Sequence, residues 1–364
     1  MKIHLQFILI VFISITPFSK AIGSKSNQAI KPIEYKYYKK FSGNIGNFPI
    51  VVDLIKKDKR VYGNYYYVKM GIPIQISGEE KEKNHFTLLE FDNNGEVTGT
   101  FECVFITESL IEGTWQNPKT KKTLPVKLQQ TVLDLPNITL KKDYTENCER
   151  VIKNKLKPAN EIEYYDTLCS TLSIETAEIT IKNKIVEQKI NKKLLELLIG
   201  KEFKSIEDFK AVNFKSESES GINQDLICDP AMVDSKVIAF SFINSTYYFG
   251  AAHPGTYIGY ENFDLNTGNA LVLENLLIPN FKKELNSIAE KKFIQVFGKE
   301  GWDFEPGKFT ITENFLITPS GLLFTYNQYE IGPYSAGSPT FSIPYKDFSH
   351  LISEKSLLRE YYKK

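Results

Sequence analysis

The sequence predicts two domains: an all-β antiparallel meander or small barrel, then an α+β domain with an antiparallel sheet and helices. Three observations lead there. Short β-prone runs recur at near-regular spacing through residues 33–132 without a helical period. Beyond residue 143, amphipathic helical patterns alternate irregularly with strands. The length of 364 residues suits about two domains. With 42% hydrophobic residues the chain can bury a core, and a net charge of +1 gives no positive excess for nucleic acid or anionic lipid.

Residues 1–21 read as a targeting segment. Lys2 supplies a short positive start, Ile3 to Ile15 is mostly apolar, Pro17 breaks the run, and Ser19 and Ala21 place small residues at a cleavage site. The apolar run is shorter than the ~20 residues that span a bilayer. No Cys sits at the cleavage site to mark a lipoprotein, and no later stretch is apolar enough to cross a membrane. A periplasmic or secreted product with no transmembrane helix is expected.

The first domain, residues 33–132, is read as eight strands: Tyr35 to Phe41, Phe48 to Leu54, Val61 to Met70, Ile72 to Ile76, His85 to Asp92, Val97 to Ile106, Leu110 to Gln116 and Leu124 to Val132. Asp92, Asn93, Asn94 and Gly95 mark one turn, and Asn117 with Pro118 another. Eight consecutive strands on short turns can close and so remove exposed edges. Barrel mouths can bind ligands. Tyr65, Tyr66 and Tyr67 could offer an aromatic surface there, or simply one buried face of a strand.

Residues 133–142, with Pro136, are read as a linker, and residues 143–355 as the second domain. Ile162 to Glu178 reads as extended. Ile179 to Leu198 reads as a helix with Ile185, Ile190, Leu194, Leu195, Leu197 and Leu198 on one face, stopped by Gly200. Ser205 looks like the cap of a further helix, and Pro279 to Phe297 is a second amphipathic helix ended by Gly298. Two strands, Lys236 to Phe249 and Thr256 to Leu265, flank a small-residue corner at Gly250 to Gly255, and a short strand is expected at Ala270 to Leu273. Phe309 to Phe324 gives strand, turn, strand. A Gly, Pro and Tyr corner, Tyr329 to Ser338, then leads to a last strand, Thr340 to Pro344.

Export would expose Cys103, Cys148, Cys169 and Cys228 to oxidant, and four cysteines allow three full pairings, among which the sequence does not choose. Three of them lie in the second domain, where at least one disulfide is expected. Cys103, in a strand of the first domain, can equally be a buried free thiol. The cysteines lack close spacing, and beyond the targeting segment the histidines are His85, His253 and His350. No metal and no cofactor is expected.

The run Tyr248 to Gly255, followed by Asn262, Phe263, Asp264, Leu265, Thr267 and Gly268, resembles a signature Y-x-G-G-A-H then N-F-D-L-x-T-G. That signature belongs to the extracytoplasmic domain shared by RsiV-type anti-sigma factors and PdaC-type peptidoglycan deacetylases. Ala251 stands where the second Gly is usual. Residues 317–344, ITPSGLLFTYNQYEIGPYSAGSPTFSIP, are similar to that family's second block, Y-E-I-x-P-Y-x-x-G with an I-P-Y ending. The resemblance covers much of residues 138–352 and does not reach residues 25–132. It implies an outside sensor or binding domain, which in RsiV-like proteins binds lysozyme. The chain carries neither the cytoplasmic segment of the anti-sigma factors nor the metal-binding and catalytic motifs of the deacetylases.

The expected function is therefore an exported, non-enzymatic binding protein of the bacterial envelope, with a lysozyme-like protein or peptidoglycan as partner. No catalytic residue is assigned. The two signature corners combine small residues with large rings, so His253, Tyr257, Tyr260, Tyr329 and Tyr334 are the candidate partner-binding residues. The competing expectation is a cell-wall hydrolase with His253 as general base, oriented by Asp264 or Glu261, and Ser245 or Ser335 as nucleophile.

Overall fold

The structure is a computed structural model that describes residues 33–34, 37–82, 84–92, 95–131, 135–152, 165–214 and 221–362. The targeting segment, residues 1–21, lies outside the described residues. Among those described, no helix is long and apolar enough to cross a membrane.

The expected barrel is present. Strands β2 (Tyr37–Ile45), β3 (Phe48–Lys57), β4 (Arg60–Tyr67), β5 (Ile74–Glu82), β6 (His85–Phe91), β7 (Val97–Thr107), β8 (Leu110–Gln116) and β9 (Thr123–Gln130) pair antiparallel in sequence order. β9 returns to pair with β2 and closes the wall. Alternate residues such as Phe86 and Leu88 point inward and are buried. The interior is full: about 20 Å³ of free space remains among Val52, Leu54, Tyr65, Phe101 and their neighbours, no more than a water needs. Tyr65 points into it and donates to Glu90 at 2.7 Å, whereas Tyr66 and Tyr67 are half-buried on the wall. That interior space is too small for a ligand.

Strand β3 departs from alternation, because Asp53, Leu54, Ile55, Lys56 and Lys57 are all buried in succession. Its inward residues fill the barrel, and its outward ones are covered by the second domain. Ile55 joins that domain's core, with Tyr38 and Tyr62 packed beside it.

The second domain is built on a six-stranded sheet in the order β1-β10-β11-β12-β13-β14. Its strands are β1 (Ile33–Glu34), β10 (Asn137–Ile152), β11 (Tyr165–Thr180), β12 (Ile222–Val233), β13 (Val237–Tyr248) and β14 (Gly255–Asp264). Only β11 and β12 run parallel, and helix α1 (Lys184–Ile199) lies in the connection between them. A three-stranded sheet, β15 (Phe315–Ile317), β16 (Gly321–Thr325) and β17 (Thr340–Pro344), packs with helix Lys282–Phe297 on the other side. The large sheet thus separates two cores. Ile238, Phe240 and Phe242 of β13 face α1, while Val237 and Ala239 face the aromatic core around Phe293.

Several boundaries differ from the sequence reading. Most of the expected linker is strand: Pro136 halts regular structure, but Asn137–Lys142 already pair with residues 175–180 of β11. Ile33 and Glu34 belong to this second sheet, opposite Lys142 and Lys141. Helix α1 begins five residues later than read, because Ile179 is still in strand and Asn183 caps the helix, accepting from the amides of Ile185 and Val186. Its buried stripe is Val186, Ile190, Leu194 and Leu198, spaced by four, which leaves Ile185 exposed. Strand β12 was not read at all. Asp225, Asp229 and Pro230 interrupt its apolar pattern, and Pro230 is accommodated at an irregularity in the pairing with β13. Ala270 makes an isolated bridge to Phe263, and Leu273–Leu276 turn into helix instead of a strand.

Cys148 and Cys169 face one another across β10 and β11 and form a disulfide, as expected for the second domain. Cys103 and Cys228 are buried free thiols.

Candidate functional site

β13 and β14 form a hairpin whose tip is the first corner. Gly250 takes φ 90°, a conformation that L side chains rarely adopt, and the amide of Ala251 returns to the Tyr248 carbonyl at 3.0 Å. The second corner connects β16 to β17. It is closed by the Glu330 amide on the Asn327 carbonyl (3.1 Å) and by the Asn327 amide on the Glu330 carboxylate (2.7 Å). Tyr334–Ala336 then make a single 3₁₀ turn.

A row of side-chain amides holds the two corners together. β14 is the edge of the large sheet, so its outward backbone groups need partners. Gln328 accepts from the Thr256 amide at 3.3 Å, and Asn327 accepts from the Ile258 amide at 2.6 Å while donating to the Ile258 carbonyl at 3.1 Å. Asn314 donates to that carbonyl at 2.7 Å and accepts from the Tyr260 amide at 2.9 Å. One step further, Asn262 of β14 donates to the Phe315 carbonyl at 2.8 Å and accepts from the Ile317 amide at 2.8 Å, tying the two sheets together. These amides do the work of a neighbouring strand and set the second corner beside the first.

Rings meet in the resulting angle. His253 stacks on Tyr334 with centroids 3.7 Å apart, and Tyr329 lies 5.8 Å from Tyr334. The Tyr334 hydroxyl donates to the Pro254 carbonyl at 3.1 Å. His253 Nδ1 sits 3.1 Å from the same carbonyl. A carbonyl only accepts, so in that contact Nδ1 is the donor, and Nε2 lies 3.4 Å from the Tyr329 hydroxyl. Tyr329 has φ 68° and is 65% exposed. Together with Asn244, Tyr257, Gln328 and Glu330 these rings line an open cleft of about 410 Å³. Burial and the nearby charges of Glu330 and Glu261 push the Tyr257 hydroxyl above its ordinary pKa, so it remains a neutral donor.

Four of the five sequence-chosen residues, His253, Tyr257, Tyr329 and Tyr334, are therefore gathered in one place from corners about 80 residues apart. Tyr260 is not with them. It lies three positions from Tyr257 on the same strand, an odd offset that turns it to the opposite face, where it packs on the aromatic core. The sequence reading missed Asn244, Asn327, Gln328 and Glu330. The Y-E-I block was the one available signal for Glu330.

Of the groups considered as partners for His253 in a hydrolase, Asp264 and Ser245 have other hydrogen-bond partners. The Asp264 carboxylate accepts from the Asn266 amide (2.8 Å) and the Thr267 hydroxyl (2.9 Å) and so shapes the turn after β14. The Ser245 hydroxyl lies 3.3 Å from that of Thr256. Burial raises the Glu261 carboxyl above its usual range, opposed by Lys193, and the polar contacts of His253 are with Pro254 and Tyr329.

Residues 274–346 match a family described as a protein of unknown function, DUF3298. This segment holds helix Lys282–Phe297, the small sheet and the second corner, and begins after the first corner. Among solved structures, the fold is similar to a DUF3298 family member from Bacteroides fragilis at 16% identity and a TM-score of 0.48, covering 62% of this chain and 98% of that one. It is also similar to a DUF3298 family protein from Pseudomonas aeruginosa PAO1 at 18% identity and a TM-score of 0.43, covering 58% of this chain and 95% of that one. No curated protein matches the chain.

Proposed function

We propose that the chain is an exported, non-enzymatic binding protein of the bacterial envelope that presents the cleft between its two corners to a cell-wall component or to a muramidase-like protein working on the wall. The observation that carries this reading is the gathering of His253, Tyr257, Tyr329 and Tyr334 in one open cleft, with two of the rings more than half exposed. Exposed tyrosines offer large contact area at low entropic cost. The sequence resemblance to the outside domain of RsiV-type and PdaC-type proteins supports an envelope partner. The disulfide Cys148–Cys169 suits an oxidising compartment outside the cytoplasm.

The full chain, incubated with insoluble peptidoglycan sacculi and separately with immobilised lysozyme, is expected to be retained on at least one of them, and Tyr257→Ala to weaken that retention. Absence of retention on both would reject the reading. The competing hydrolase makes a different forecast: wild-type protein would release soluble fragments from sacculi and His253→Ala would not.

A further inference from the structure

We infer that the cleft recognises a neutral saccharide ring, stacked on the aromatic wall made by His253, Tyr334 and Tyr329 and held at its edge by amide and carboxylate side chains. This inference rests on the reading above that the cleft is the binding surface, and it names the ligand chemistry. Three features of the site carry it.

The first is the shape of the aromatic surface. His253 and Tyr334 are already face to face at 3.7 Å, and Tyr329 follows at 5.8 Å and 41°, with its hydroxyl directed to the imidazole. Rings this close leave no gap for a cation between them, so they form a wall and not a cage. A wall of that kind suits the flat C–H face of a pyranose, which is apolar although its rim is polar.

The second is the polar complement. The rest of the lining includes side-chain amides, two threonine hydroxyls and one carboxylate, Asn244, Gln328, Thr246 and Glu330 among them, and among the described residues no Lys or Arg contributes to it. Such groups donate to and accept from hydroxyls, whereas a phosphate or carboxylate ligand would call for Arg or Lys. The Tyr257 hydroxyl, kept protonated by burial and the carboxylates near it, adds a donor. The single acidic group forms a strong acceptor for a sugar hydroxyl and repels anions.

The third is size and rigidity. About 410 Å³ falls within the ~300–1,000 Å³ typical of small-ligand sites. The amide row fixes the wall before any ligand arrives: Gln328 and Asn327 are bonded to β14 at 3.3 and 2.6 Å, and Glu330 is positioned by the Asn327 amide at 2.7 Å. A preformed site loses little freedom on binding, which matters for ligands as weakly held as sugars.

The test titrates full-length protein with two soluble neutral oligosaccharides, chitotetraose and cellotetraose, and with trimethyllysine as a cationic probe, by saturation-transfer NMR, and with inorganic phosphate as an anionic probe by phosphorus NMR line broadening. The expected result is transfer to at least one oligosaccharide and binding of neither charged probe. Tyr329→Ala and Tyr257→Ala should each weaken that binding about tenfold, with thermal melting unchanged within about 3 °C. Binding of trimethyllysine or phosphate in place of sugar would overturn the inference, as would no transfer to either oligosaccharide at ~10 mM, or transfer that both variants leave intact. If the oligosaccharides fail while lysozyme is retained in a Tyr257-dependent way, only the saccharide inference falls. If both fail, the binding reading falls with it.

Discussion

Removal of the Lys57 ammonium is the most informative perturbation of this fold, because that buried group pairs with carboxylates of two strands across the domain junction. Lys57 lies on the outward face of β3 with its side chain 1% exposed. It is ion-paired with Glu175 of β11 and with Asp229 of β12 at 2.7 Å. The side chain of Glu175 is 4% exposed, and that of Asp229 is 11% exposed. Lys57→Met keeps most of the side-chain volume and strands two carboxylates in a nearly dry junction. Breaking a buried pair by removing one partner typically costs about 3–5 kcal/mol. Here the lower end applies. Arg60 and Lys142 each remain 3.5 Å from Glu175, and the Tyr62 hydroxyl still donates to Asp229 at 2.7 Å. The expected loss is about 3 kcal/mol.

Urea unfolding measures it, and the chain's two tryptophans, Trp115 in β8 and Trp302 beside Phe293, report on the barrel and the second domain respectively. Following each in the variant that lacks the other shows whether both midpoints fall together, as they should when Ile55 of the barrel joins the neighbouring core and Lys57 pairs with its strands. Making the site apolar should undo the damage: Lys57→Met/Glu175→Met/Asp229→Asn should return to within about 1 kcal/mol of wild type, since no buried charge is left without a partner. A single variant that loses less than about 1 kcal/mol, or a triple variant as unstable as the single, would refute this account.

Three further outcomes are expected. Asn262→Leu leaves the Phe315 carbonyl and the Ile317 amide without partners in a buried seam, so stability should fall by about 2–4 kcal/mol in the same unfolding assay. Tyr329→Gly relieves a left-handed backbone at φ 68° and should leave stability equal or raise it by up to about 1 kcal/mol, while retention on sacculi or lysozyme declines. Mass spectrometry without reductant should find Cys148 joined to Cys169, and native protein at pH 8 should not react with iodoacetamide at Cys103 or Cys228. Burial pushes the Cys103 thiol up to about 12 and raises that of Cys228 as well, so the unfolded chain, with thiols near 9, loses these protons first. Their contribution to stability is whole below about pH 9 and declines as pH rises towards 12.

The barrel was legible because its signals are local: β-prone runs, turns such as Asp92 with Gly95, and alternation that a closed meander preserves. Long-range features were not. Strand β12 carries Asp225, Asp229 and Pro230, which read as loop. The charge of Asp229 makes sense only once Lys57, from another domain, is set against it. Likewise Pro136 looks like a break until Asn137–Lys142 are seen paired with β11. The site was partly legible because its aromatic residues sit in unusual small-residue corners. Its polar residues were hidden, since Asn327 and Gln328 gain meaning only beside the unpaired edge of β14. Tyr260 could have been excluded from the site by the two-residue period alone.

The two signature blocks divide into residues that the fold already explains and residues that it does not. Asn262 bridges the two sheets, Asp264 shapes a turn, Glu330 closes the second corner, and Tyr345 donates to the Thr318 carbonyl at 2.7 Å from within the core. Each satisfies a backbone group that would otherwise be orphaned, so packing and hydrogen bonding account for it without any ligand. The exposed rings are different. Tyr257 and Tyr329 are 53% and 65% exposed and contribute little to a core, and Tyr329 takes φ 68° within the turn that the Glu330 amide closes on the Asn327 carbonyl, a conformation that costs a non-glycine residue on the order of 1 kcal/mol. What that arrangement does provide is a fixed aromatic edge on the cleft, the kind of preformed surface that the proposed binding function would use.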